Sequence, residues 1–319
     1  MAHWADEKEK GSGYWQLKLM LILRRVLGRG IMSAAMRPVI LAFYLFSARS
    51  RAASREFLEK ASASAGRPAP RRGDPLRHFL SFAEALLDKI DAWAGEIGLS
   101  ELRLRDDGVG ELVEALRSGK GATILCSHLG NAELLRALAS LEVGSDMAIK
   151  GFSFVSIVEF SGTAKFNRLL AEIDPRSMGK LVSASDIGPD TMIMLKDCVD
   201  SGGLAVIAGD RVAAENRSRV LSLDFLGDKA DFPLGPFLLA DLLEVPVYFM
   251  TALRDRDLDR RSPYAFYVER ASSAVGGGRR GREERVEALA REYASVLARR
   301  ATEHPFQWYN FYDFWSREG

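Results

Sequence analysis

Three features of the sequence predict an α/β fold, with a mostly parallel central sheet flanked by helices and an amino-terminal helical segment. From about residue 100 to 270, short apolar runs alternate with helical patterns. An apolar run at 122–126 leads into His128, Gly130 and a fresh helical pattern, as at the carboxyl end of a buried strand. Residues 14–48 hold two apolar runs bounded by arginines. Alternating strands and helices favour a parallel sheet covered on both faces.

Taken in order, residues 15–23 and 38–46 are the two apolar runs, closed by Arg24, Arg25 and Arg29 and by Arg49, Arg51 and Arg55. Neither reaches the ~18 uninterrupted apolar residues of a spanning helix. With Trp15 and Tyr44 near the runs, they read as helices lying in a membrane interface; a helical hairpin packed on the core is the other reading. Residues 61–73, rich in Ser, Pro, Gly and Arg, read as a linker, which divides the chain into a segment 1–73 and a body 74–319. Phe79, Phe82, Ala83, Leu86, Leu87, Ile90 and Trp93 recur at steps of mostly three and four, as on one amphipathic helix. Strands are expected at 122–127, 146–150, 204–209, 246–253 and 264–270. Helices are expected at 109–118, 131–141, 163–173, 188–200 and 234–244, with a surface helix at 282–302.

Charge is unevenly distributed. The net charge of +1 over 319 residues argues against a nucleic-acid-binding polycation. Residues 1–72 carry 14 Lys and Arg against 5 Asp and Glu, a balance of +9, and the remainder carries 30 against 38, a balance of −8. A basic, apolar start on a mildly acidic body suits an anionic membrane surface. Cys126 and Cys198 sit in apolar contexts and read as reduced, buried thiols. The charged opening at Asp6–Lys10 reads against a secretory signal. His3, His78 and His304 have no ligand spacing with the cysteines, so no metal site is expected.

The first site candidate is Ser127-His128-Leu129-Gly130-Asn131-Ala132-Glu133. An imidazole can take a proton near neutral pH, and a carboxylate five residues on can hold its tautomer. Gly130 allows a tight turn, Asn131 suits a helix cap, and helix N–H groups would suit an oxyanion or phosphate. The second candidate is Ala208-Gly209-Asp210-Arg211 after the run 204–207. Arg211 could stabilise an oxyanion or bind phosphate, with Asp210 in support. The third is 224–237, read as a shaped loop whose Phe225, Phe232 and Phe237 could line a lipid-tail groove. The fourth is 308–315, where six aromatics stand in eight positions and Trp308 and Trp315 could wall an acyl pocket. The chain has no Gly-x-Ser-x-Gly elbow.

Together, the blocks at 127–133, 209–211 and 225–237 resemble the lysophospholipid acyltransferase superfamily. Within it they resemble the branch of late, lauroyl- or myristoyl-type acyltransferases of lipid A biosynthesis. The resemblance covers roughly residues 100–255. It implies transfer of a fatty acyl group from acyl carrier protein or coenzyme A to a hydroxyl of a membrane lipid or glycolipid. It implies His128 as general base and Glu133 as its partner, no bound cofactor, and a peripheral position on the cytoplasmic face of a bacterial inner membrane. Two positions depart from the family pattern. Ala132 stands where relatives often carry a bulky aromatic, and the acid is Glu where many phospholipid acyltransferases have Asp. The competing expectations are a non-catalytic lipid-binding protein at the membrane surface and a thioesterase using His128 to activate water.

Overall fold

A computed structural model describes residues 14–93, 97, 102–105, 108–132, 134, 153–158, 180–184, 187–212, 219–255 and 264–315. The strands expected at 146–150 and the helix at 163–173 lie outside these residues, as does most of the helix expected at 131–141.

The described strands form a mixed, mostly parallel sheet of seven. They are β1 (Leu102–Leu104), β2 (Ala122–Cys126), β3 (Phe154–Val158), β4 (Lys180–Ser183), β5 (Leu204–Ala208), β8 (Val247–Arg254) and β9 (Tyr264–Arg270), in the spatial order β1-β9-β8-β2-β5-β3-β4. All neighbouring pairs are parallel except β8 with β9. Strand β2 is buried along its whole length, as a near-continuous apolar run in a sheet covered on both faces should be.

Helices α4 (Gly108–Arg117), α5 (Pro189–Asp200), α6 (Leu234–Leu243) and α7 (Arg282–Glu303) accompany the sheet. The main core joins Leu125, Ile207 and Phe249 of the sheet to Leu195 of α5, Phe237 of α6 and Tyr293 of α7. A second core on Ile124, Tyr248 and Phe266 takes in Leu112 and Leu116 of α4.

Residues 220–237 differ from the expected loop. They hold an antiparallel hairpin, β6 (Val220–Phe225) and β7 (Asp228–Pro233), and then the start of α6. Leu226 and Gly227 both have positive φ, 52° and 92°, which gives a two-residue connection the twist the strands need.

The amino-terminal part also differs. The two apolar runs fall in two helical portions, together α1 (Tyr14–Phe46), that meet at a non-helical break at Gly28 (φ 78°, ψ 164°). Its portion Ile22–Phe46 is long and apolar enough to cross a membrane by length and composition. One face packs on α3 (Asp74–Trp93), through Met32 against Leu87 and Ile90 and through Ile40 against Phe79 and Ala83. Arg29 of that face pairs with Glu84, Asp88 and Asp91, and Arg24 with Asp91. Away from that face, Ile22, Val26, Ile31, Val39, Leu45 and Phe46 are exposed. The sequence reading did not anticipate α2 (Ala48–Ser64), which buries Phe57, Leu58 and Ala61 in the main core.

Candidate functional site

The site is a consequence of strand register. Strands β2 and β5 are parallel neighbours, with Cys126 opposite Ala208 at their carboxyl ends. Two residues further along each chain come His128 and Asp210, so the register delivers them side by side. Among the described residues, the chain after β2 next joins the sheet at β3, beyond β5, whereas the chain after β5 next joins it at β8, beyond β2. Such a reversal between adjacent strands opens a crevice beyond their carboxyl ends.

Asp210 is 1% exposed and Oδ1 lies 2.9 Å from His128 Nδ1. A carboxylate only accepts, so the proton sits on Nδ1 and the lone pair on Nε2. Asp210 Oδ2 accepts two further hydrogen bonds, from the His128 backbone N–H at 2.8 Å and from Trp308 Nε1 at 3.1 Å. The rest of the imidazole is reachable, since 38% of the His128 side chain is accessible. Among the described residues, nothing bonds to Nε2.

The charges tune this pair. Burial pushes the Asp210 carboxyl up, but the charge and hydrogen bond of His128, with Arg211 and the backbone N–H of His128, outweigh it and hold it down at about 2. Burial and the neighbouring Arg211 lower His128, against the raising effect of Asp210, and the net direction is down. His128 is therefore neutral at neutral pH, with a basic Nε2 on its open side. Tyr293, beneath the site, gives its hydroxyl to the Cys126 carbonyl at 2.7 Å.

The turn after His128 is held tightly. Gly130 has φ 74°, and a Cβ there would stand 2.0 Å from the Ala252 carbonyl oxygen, so only glycine fits. Its N–H bonds to the Gln307 carbonyl at 2.8 Å, and the Asn131 N–H bonds to the Ala252 carbonyl at 2.8 Å. This corrects the expectation that the Gly130 and Asn131 N–H groups face an anion, because both are engaged by backbone. Arg211 remains as the cation beside His128; one arm, Nη2, donates to the Tyr309 carbonyl at 2.8 Å. Glu133, the partner expected from spacing, lies outside the described residues. The carboxylate that touches the imidazole is Asp210, expected only in a supporting place.

The acyl-pocket candidates are corrected as well. Phe225, Phe232, Phe237 and Trp308 are fully buried and packed on one another or on neighbouring rings. Phe225 meets Phe232 at 5.5 Å and Trp308 at 5.2 Å between centroids, and Phe237 meets Tyr293 at 5.3 Å. Trp315 stacks on Phe225 and gives its indole N–H to the Phe225 carbonyl at 3.2 Å. Packing of this kind, edge-to-face or stacked, fills the space between these rings, and among the described residues they line no groove. A cavity of about 10 Å³ near Ser127, Thr251 and Tyr293 has room for about one water.

Sequence reasoning missed the contribution of 307–309. Leu129 and Trp308 form an antiparallel bridge. The Tyr309 N–H donates to the His128 carbonyl at 3.2 Å. No local pattern marks a carboxyl-terminal segment as a neighbour of a loop some 180 residues earlier. Comparison with protein-family models and with curated proteins finds no match.

Proposed function

We propose that this chain is an O-acyltransferase that moves a fatty acyl group from a thioester of acyl carrier protein or coenzyme A to a hydroxyl of a membrane lipid or glycolipid. The observation that carries the reading is the neutral imidazole of His128, oriented by a buried carboxylate, with Nε2 open and Arg211 alongside. The blocks that resemble the lysophospholipid acyltransferase superfamily, and its lipid A-type branch, surround this pair in sequence.

In the proposed reaction the acceptor hydroxyl gives its proton to His128 Nε2 as its oxygen attacks the thioester carbonyl. Asp210 steadies the imidazolium, and Arg211 offsets charge on the tetrahedral oxyanion. The C–S bond then breaks, and the departing thiolate takes the proton back from Nε2. The products are an ester and a free thiol, and the enzyme is regenerated without an acyl-enzyme. Glu133 stays in the proposal as a second acid near His128 in sequence.

The reading also places the chain on a membrane surface, on the cytoplasmic face of an inner membrane, without crossing it. What supports this is the two-faced α1: one face is apolar and exposed, and the other is held to α3 by ion pairs. A crossing helix would have to leave those partners.

The test is incubation of the full chain with a labelled acyl thioester and a membrane lipid extract, with mass spectrometry of the lipids. A new acylated lipid that His128→Ala abolishes, with folding retained, supports the reading. Free fatty acid without an acceptor would make the chain a thioesterase. Stoichiometric binding without turnover would make it a carrier.

A further inference from the structure

The reactive turn is completed by the far end of the chain. Residues 307–309 run antiparallel to 128–130 and bond to the site at every step. The Gln307 carbonyl receives the Gly130 N–H, the Tyr309 N–H reaches the His128 carbonyl, and the Tyr309 carbonyl receives Arg211. Between them, Trp308 points its indole at Asp210 Oδ2.

A fully buried indole N–H needs an acceptor, and a carbonyl would satisfy it. Here the acceptor is the carboxylate that, among the described residues, orients His128. The ring has little freedom to turn away. It is wedged between Phe57, Phe225 and Phe314, at centroid distances of 4.8, 5.2 and 4.9 Å. Its backbone is tied down too: the Trp308 carbonyl accepts from His78 Nε2 at 2.9 Å, and His78 Nδ1 in turn accepts from Ser54.

We propose that Trp308 is a positioning residue for the His128–Asp210 pair, its indole N–H fixing the Asp210 carboxylate and, through it, the tautomer and direction of the imidazole. The inference rests on the acyltransferase reading of the same pair. Asp210 Oδ1 serves the imidazole, while Oδ2 is pinned by two donors on different chain segments, the His128 N–H and the Trp308 indole. With one donor removed the carboxylate can swing about the other, and its charge is less dispersed. Both effects reach His128: the ring is held less firmly, and its protonated form is better stabilised.

The experiment replaces Trp308 with β-(3-benzothienyl)alanine, which keeps the bicyclic ring and removes only the N–H, alongside Trp308→Phe. The full chain is labelled with [13Cε1]histidine. With only four histidines, the His128 signal is assigned by its loss in His128→Ala. The expected results are a fall in kcat on the order of tenfold, little change in KM for the acyl donor, and a shift of the His128 titration and the acid limb of kcat to higher pH. A merely structural role would lower the active fraction equally at all pH values and leave the titration in place. An unmoved His128 titration in the benzothienyl protein overturns the proposal, even where Trp308→Phe fails to fold. Failure of the acyltransferase reading shows separately, as free fatty acid or stoichiometric binding in place of an acylated lipid from the wild-type chain; the titration shift is then still readable.

Discussion

Asp210→Asn is the substitution with the sharpest consequence. Two N–H donors converge on Oδ2, from the His128 backbone at 2.8 Å and from Trp308 at 3.1 Å. An amide NH2 cannot sit there without opposing both, so the asparagine oxygen takes that place. The NH2 then faces His128 Nδ1, which must accept. The imidazole proton moves to Nε2, and the atom that should remove the acceptor's proton becomes a donor. The same change of tautomer in a carboxylate–imidazole pair costs on the order of 10⁴ in turnover, so kcat for acyl transfer should fall by about 10³- to 10⁴-fold with near-normal binding of the thioester. The wild-type pH profile should agree. Because the His128 pKa is lowered below its ordinary 6.5, the base is active above its folded pKa, and the acid limb of kcat should lie below that value. Steady-state kinetics with circular dichroism to check folding is sufficient. Turnover within tenfold of wild type would refute the tautomer argument and leave Glu133 as the effective partner.

Two further measurements address the framework. His78 is fully buried, and burial lowers its pKa to about 4 despite the hydrogen bond to Trp308. Below pH 6.5 the unfolded chain binds a proton that native His78 does not, so its contribution is complete above that pH and is lost as pH falls toward 4. The loss should reach about 2 kcal/mol at pH 5, read by urea unfolding as a pH slope that His78→Gln lacks. On α1, Val26→Ser, Leu45→Ser and Phe46→Ser together should reduce partitioning onto anionic liposomes by roughly 3 kcal/mol, on the order of 100-fold, without a change in melting temperature; unchanged flotation would make the exposed face irrelevant to membranes.

The parts of the fold that local pattern records were legible. Strands β2, β5, β8 and β9 are apolar runs of strand length, and α3, α4, α5 and α7 repeat at helical spacing. The hairpin β6–β7 was hidden by its own turn chemistry, because Leu226-Gly227 and Pro233 read as loop punctuation. Its alternation survives in the buried Leu223 and Phe225 and in Ala230 and Phe232. Helix α2 was hidden by its arginines and serines, although Phe57, Leu58 and Ala61 keep helical spacing. At the site, spacing along the chain points to Glu133 as the neighbour of His128. Asp210 becomes a neighbour only through the register of two adjacent parallel strands, and Trp308 only through a terminal segment folding back. Aromatic density at 308–315 was visible, but the same density describes an open pocket and a filled core. What separates them is burial, which no sequence window contains.

The docked face of α1 decides how its exposed face can be tested. Asp88 and Asp91 are almost fully buried. Asp91 is paired with Arg24 and Arg29, and Asp88 is shared between Arg29 and Arg254 of β8. Arg254 in turn exchanges two backbone hydrogen bonds with the Gln307 side chain, at 2.8 and 2.6 Å, and the Gln307 carbonyl holds Gly130 beside His128. Deleting α1 therefore removes more than a membrane contact. It strips the described cations from Asp91 and one of two from Asp88, and leaving a buried charge unpartnered costs about 3–5 kcal/mol. That loss would fall on the same Asp88–Arg254–Gln307 connection that supports the reactive turn. A truncated protein that lost both liposome binding and turnover would not separate the two causes. Substitutions confined to Val26, Leu45 and Phe46 leave every ion pair in place, so a fall in partitioning with soluble-substrate turnover intact would assign the exposed face to the membrane and the buried face to the site.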